Sequence, residues 1–173
     1  GLEKEGQEYL ENLMRSMGAK DIIIDPLEES VIQKALQVHH EGNLGHNNKD
    51  RYNLYARFPG GKGKSILFNG HIDTMPADTD QWSRDPFDPH IEDGKMYGLG
   101  VADMKAGLLS GIMAVKLLQE AGIRLPGDVI VTSVADEEGG GNGSIQAAMR
   151  GIKADAAVVC EPTNRELIVA HMG

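Results

Sequence analysis

The stretch Ser65-Ile66-Leu67-Phe68-Asn69-Gly70-His71-Ile72-Asp73-Thr74 constrains the fold more than any other, because an apolar run closes there on a glycine, an imidazole and a carboxylate. Such a run reads as a buried strand that delivers its last side chains to the carboxyl edge of a sheet, where α/β proteins keep their ligand sites. With a period of two, His71 and Asp73 point the same way. The pair suits a metal ligand held by its neighbour or a general base held by its orienter, and the stretch alone leaves both open.

Around this stretch helical and extended patterns alternate. Tyr9, Leu10, Leu13, Met14 and Met17 recur at helical spacing and predict a helix over residues 3–17, with Gly18 where a C-terminal cap would sit. Asp21-Ile22-Ile23-Ile24-Asp25, stopped by Pro26, predicts a strand, and residues 27–40 a second helix. Residues 41–50 are rich in Gly and Asn and read as a loop; His39, His40 and His46 lack an accompanying carboxylate or thiol framework and read as solvated imidazoles. Tyr52 to Phe58 and Lys64 to Asn69 read as two strands joined as a hairpin by Pro59-Gly60-Gly61-Lys62-Gly63. In the long loop over residues 74–89, Trp82 reads as a plug on a hydrophobic edge.

A small hairpin turns at Asp93-Gly94, and a strong helix runs from about Ala106 to Glu120, ended by Gly122. Residues 128–135 are the clearest buried strand and lead directly into Asp136-Glu137-Glu138-Gly139-Gly140-Gly141. A short helix over residues 144–150, a strand over 154–159 and a last strand over 166–170 complete the pattern, which is that of an α/β domain.

At 173 residues the chain is long enough for one domain with a real core. A formal net charge of −9 and a pI near 5.1 argue against nucleic acid or an anionic membrane as partner. No run approaches membrane-spanning length and the N-terminus lacks a signal pattern. The single cysteine, Cys160, excludes an internal disulfide and fits a reducing compartment, so a cytoplasmic protein is expected. A start without Met, and a stop just after an apolar run, suggest a fragment.

Elements end in His71 with Asp73, in Asp103, in Glu137 with Glu138, and in Glu161. In a parallel or mixed sheet, strand ends converge on one crevice, where crowded carboxylates repel unless a cation or protons neutralise them. One His with several carboxylates suits zinc, cobalt or manganese, and so many ligands make two metals sharing a carboxylate plausible. A water between them would become a nucleophile, and one of Glu137 and Glu138 could carry its proton to the leaving amine. Singly, Asp103 reads as a helix cap, Glu137-Glu138 as a solvated turn and Glu161 as a strand-end charge; jointly they favour cations. Cys160 as a nucleophile is a rival, though a free Cys closing an apolar strand more often packs. The glycine loops lack the full nucleotide-binding fingerprints.

Gly70-His71-Ile72-Asp73-Thr74, Tyr97-Gly98-Leu99-Gly100-Val101-Ala102-Asp103-Met104-Lys105, Asp136-Glu137-Glu138-Gly139 and Cys160-Glu161-Pro162-Thr163 together resemble the dinuclear zinc hydrolase family of acetylornithine deacetylase, succinyl-diaminopimelate desuccinylase, aminoacylase and glutamate carboxypeptidase. The resemblance implies a three-layer αβα zinc-exopeptidase-like domain with a mixed, mainly parallel sheet. It implies that His71 and Glu161 bind one zinc, Asp103 bridges, Glu138 binds the second, Glu137 is the general base and Asp73 orients His71. It also implies a cis peptide at Asp103-Met104 and an N-acyl amino acid or small peptide as substrate.

Many members carry Arg where this chain has Leu99. The family's catalytic domain resumes after a lid and dimerisation domain, and that later half supplies a final metal-binding His; His171 lies too early to replace it. The expectation is therefore the N-terminal part of a catalytic domain, inactive alone, from a protein expected to be a homodimer when complete. The alternative is a non-catalytic metal-binding or assembly module of the same fold.

Overall fold

The computed structural model describes residues 3–164 and 166–169. A five-stranded sheet in the order β1-β2-β6-β3-β7 lies between two helical layers. Its strands are β1 (Lys20–Pro26), β2 (Tyr52–Phe58), β3 (Ile66–His71), β6 (Val129–Val134) and β7 (Ala156–Val159), and a separate ribbon pairs β4 (His90–Glu92) with β5 (Lys95–Tyr97). β2 is antiparallel to both its neighbours, whereas β3 is parallel to β6 and β7, so β2 alone opposes the common direction. The sheet is thus mixed and mainly parallel.

β6 is central because its β-branched run Val129-Ile130-Val131-Thr132 has apolar partners on both faces. On one face, α1 (Lys4–Ser16) and α3 (Ala106–Glu120) contribute Leu10, Met14, Leu108, Ile112 and Val115 to a core shared with Leu54, Phe58 and Val131. Each such side chain, fully buried, contributes roughly 1.5–3 kcal/mol. On the other face, α2 (Glu29–His39) and α4 (Asn142–Met149) bury Ile32, Ala35 and Ala147. Gln7, also buried, donates from Nε2 to the Tyr52 and Ser133 carbonyl oxygens at 3.0 and 3.1 Å, fixing α1 to the ends of β2 and β6. α1 ends where Gly18 takes a φ of +85°, in the left-handed region that glycine enters without a Cβ clash.

The hairpin expected of β2 and β3 does not form; β6 lies between them. The connection instead wraps the turn that enters β6: Gly61 N–H donates to Leu125 O at 2.9 Å and Gly63 N–H to Pro126 O at 2.8 Å. A Cβ on Gly60 would overlap the Gly127 carbonyl, so the glycines there permit backbone contact rather than a tight reversal. The last strand expected over residues 166–170 is also absent: residues 166–169 follow an irregular path, and Ala170 lies outside the described residues. Tyr9 is 64 % exposed rather than packed, and α3 leaves Leu117 on the surface. No helix among the described residues is long and apolar enough to cross a membrane.

Candidate metal centre

Parallel pairing sets His71 at the end of β3 opposite Val134 at the end of β6, so both chains leave the sheet at the same edge. The β6 exit carries Asp136-Glu137-Glu138. Beyond β7, Cys160 N–H donates to Asn69 O at 3.0 Å, holding Glu161 beside the end of β3. Asp103 comes from an irregular turn, Val101–Lys105, ahead of α3, and the Asp103-Met104 peptide is cis. Gly70 packs under this turn: a Cβ there would press on Leu108 and Met104.

Four elements thus converge on one imidazole. His71 is buried, and its Nε2 lies 3.0 Å from Asp103 Oδ1, 3.7 Å from Glu137 Oε2 and 3.8 Å from Glu161 Oε1. Its Nδ1–H donates to the Asp73 carbonyl oxygen at 3.0 Å. A carbonyl only accepts, so Nδ1 keeps its proton and Nε2 is the nitrogen free to give a lone pair to a cation. Two overlapping triads, His71-Asp103-Glu138 and His71-Glu137-Glu161, each offer ligand atoms within 4.8 Å of one another. One imidazole with four carboxylates fits a hard or borderline divalent cation.

The carboxylate of Asp73 serves the opposing turn more than the imidazole. Its Oδ1 is 3.6 Å from His71 Nδ1, while Oδ1 and Oδ2 accept the backbone N–H groups of Glu137 and Glu138 at 3.2 Å each. The charge balance without a cation is strained in the expected direction. Burial pushes the Glu161 carboxyl up to about 7, with Asp103 and Glu137 adding to the rise against the pull of His71. Burial likewise raises Glu137, with Asp73, Glu138 and Asp103 contributing. Burial lowers the His71 imidazole, but Asp73, Glu137 and Asp103 outweigh it and the net shift is upward. A cation would replace these retained protons.

Of the individual acids, Asp103 is about half exposed, and Glu137 and Glu138 stand in a partly exposed turn. No side-chain cap bond is made at the start of α3, and Asp103 faces His71. Glu137 and Glu161 are each about two-thirds buried. The Cys160 thiol donates weakly to Val158 O at 3.8 Å, and burial and Glu161 push it up, opposite to the need of a thiolate nucleophile. Trp82 stands at 38 % exposure over a 300 Å³ pocket with Arg84, His90 and Tyr97, away from the centre. Gly139 and Gly140 underlie the 41–46 loop, since a Cβ on Gly139 would overlap the His46 ring and one on Gly140 the Asn43 side chain.

Residues that carried no motif complete the surroundings. Arg51 donates from Nη1 to Asp136 Oδ1 at 2.6 Å and from Nη2 to Glu3 Oε1 at 2.7 Å. Asp136, 3 % exposed, also accepts from Asn142 Nδ2 and lies 2.9 Å from His46 Nδ1. Of the loop histidines, His46 is therefore engaged, with Asp136 rather than with the acid cluster. Lys105 reaches toward Asp73, Asp103 and Glu138, and burial lowers its ammonium. The available signal was the acid run itself: three adjacent carboxylates ending a buried strand leave one pointing inward, and a buried carboxylate requires a cationic partner. Beside Asp73 and Lys105 opens a cleft of about 640 Å³ with apolar walls from Tyr9, Ile72, Phe87 and Leu99.

Comparison with known proteins gives the family. The model of peptidase family M20/M25/M40 matches residues 67–171, the span that carries the whole acid cluster. N-formyl-4-amino-5-aminomethyl-2-methylpyrimidine deformylase of Bacillus subtilis is 36 % identical over 129 residues, covering 68 % of this chain and 30 % of that protein. Acetylornithine deacetylase of Pasteurella multocida is 36 % identical over 169 residues, covering 96 % of this chain and 38 % of its own length. The chain thus spans about a third of the length of these curated relatives. Among solved structures, human carnosine dipeptidase 1 superposes with a TM-score of 0.65 at 22 % identity, covering 90 % of this chain and 32 % of that one. The di-peptidase Dug1p of Saccharomyces cerevisiae gives 0.61 at 25 % identity, covering 76 % and 26 %. With the family model matching residues 67–171 and a relative 36 % identical across 96 % of the chain, the chain belongs to peptidase family M20/M25/M40.

Proposed function

We propose that the chain forms the metal-binding part of a dinuclear metal-dependent amidohydrolase that cleaves the amide bond of N-acyl amino acids or small peptides. The observation that carries this reading is the buried His71 Nε2 facing carboxylates from Asp103, Glu137 and Glu161, with Glu138 in the overlapping triad. The deacetylase, deformylase and dipeptidase relatives support the hydrolase class and the small substrate.

In this reading His71, Asp103, Glu138 and Glu161 hold two divalent cations, zinc by preference with cobalt or manganese as substitutes. Cations held by these residues would polarise the scissile carbonyl and acidify the attacking water. The chain's own residues supply the rest. Glu137, raised by burial and by its acidic neighbours, takes a proton from the attacking water as oxygen adds to the carbonyl carbon. It returns that proton to the amine nitrogen as the carbon–nitrogen bond breaks. Asp73 fixes the tautomer of His71 through its backbone carbonyl and holds the turn that carries Glu137 and Glu138. This chain supplies one portion of a larger catalytic unit, a cytoplasmic homodimer when complete; its coverage of about a third of the relatives supports the first part of that statement.

Glu137→Ala in the complete protein tests the assignment. With zinc or cobalt and N-acetyl or N-succinyl amino acids, turnover should fall by about 10²–10⁴-fold while metal content stays the same. Unchanged turnover removes Glu137 as the base; unchanged turnover after chelation removes the metal reading altogether.

A further inference from the structure

We propose that Arg51 is a positioning residue for the reaction, setting where the Glu137-Glu138 turn stands against His71 by holding the two carboxylates that flank that turn. The inference rests on the roles given above to Glu137 and Glu138.

Asp73 holds the turn from the β3 side, accepting both of its backbone N–H groups. Asp136 holds it from the β6 side, being the residue that precedes Glu137. Asp136 adopts a φ of +59°, a left-handed conformation uncommon for a residue with a Cβ, and the reversal there turns the chain back from β6 toward the end of β3. Something must keep Asp136 in that conformation. Its carboxylate, 3 % exposed, is engaged by Arg51, Asn142 and His46, and its carbonyl accepts from Asn142 N–H at 3.0 Å.

Arg51 reaches both carboxylates. Its guanidinium, 11 % exposed, donates to Asp136 at 2.6 Å and Glu3 at 2.7 Å, and its Nη2 lies 3.7 Å from Asp73 Oδ2. A planar fork reaches acceptors in different directions at once; an ammonium is a single point and does not span them. Lysine therefore keeps the charge among these acids but loses the geometry. The hydrogen bonds and ion pairs of Arg51 run to Glu3, Asp73 and Asp136, so its effect falls on the turn that carries Glu137 and Glu138, of which Glu138 is the proposed metal ligand.

Arg51→Lys in the complete protein, followed by calorimetric zinc titration after chelation and by steady-state hydrolysis of an N-acetyl amino acid, tests this. One of the two zinc-binding steps should weaken by about 10–100-fold with the other unchanged, the range found when a ligand's supporting partner is lost. In parallel, kcat should fall by about tenfold or more with KM within about threefold. Both zinc affinities and kcat equal to wild type, even with a lower melting temperature, make Arg51 a purely structural residue and overturn the inference alone. Wild-type protein that neither binds zinc nor hydrolyses overturns the functional reading and the inference with it. Should Arg51→Lys fail to fold, the isosteric Asp136→Asn carries the same test, with the same split between the two zinc steps expected and its absence decisive against the inference.

Discussion

His71 owes its chemistry to what its two ring nitrogens face: an acceptor-only carbonyl at Nδ1 and a ring of carboxylates at Nε2. The Asp73 carboxylate is the least replaceable of the supporting groups, because it accepts two backbone N–H groups at once. Asp73→Asn keeps the shape but turns an N–H₂ toward one of those donors. Zinc affinity should drop by about 10–100-fold in a calorimetric titration of the complete protein, and an affinity within twofold of wild type would remove Asp73 from the supporting shell. At this scale the sequence was legible where short motifs mark the acids. His71, Asp103, Glu137, Glu138 and Glu161 each stand at an element end that periodicity locates. Arg51 was not legible, since its partner Asp136 lies 85 residues away and nothing local distinguishes an arginine ahead of a strand from a solvated one.

The elements position these residues by backbone contact as much as by side-chain packing. α3 approaches the exit of β7 so closely that a Cβ on Gly107 would overlap the Cys160 carbonyl oxygen, one residue before Glu161. Gly107→Ala should therefore push the Glu161 segment away from His71. We expect a stability loss of about 1–3 kcal/mol in chemical denaturation, together with weaker metal binding. A variant as stable as wild type with undiminished metal affinity would show that the segment yields freely. Helices α1 and α3 and strands β2, β3 and β6 form where the apolar runs predict them, because each buries apolar side chains in the core. The β2–β3 hairpin failed as an expectation because glycine-rich connections have two uses, tight reversal and close backbone approach. Gly60, Gly61 and Gly63 serve the second, against the turn at Pro126-Gly127.

At the scale of the whole molecule, the acid cluster should couple folding to pH and, through the proposed site, to cations. In metal-free protein, Glu161 is pushed up to about 7 and Glu137 and His71 are also raised, so the folded state binds more protons than the unfolded one between about pH 4.5 and 7. Stability should fall as pH rises through that window. Asp128, Asp136 and Asp155 are held below the ordinary carboxylate range by their donors, and their contribution is lost in the opposite direction, as pH falls below about 4. Melting temperatures of the chelated complete protein should decline from pH 5 to 7, and added zinc should reverse the decline. A flat profile would show that the acids are not crowded in solution. The sequence by itself determined the kind of fold, the location of most elements and the ligand-type groups at their ends, because burial of a face leaves a local period that survives in the chain. Only the tertiary structure decided that β6 separates β2 from β3, that Asp73 holds the acidic turn through its N–H groups, and that Arg51 ties that turn to α1. Those choices depend on which distant edges and charges meet, and a buried charge takes its partner from whatever element the packing brings within reach.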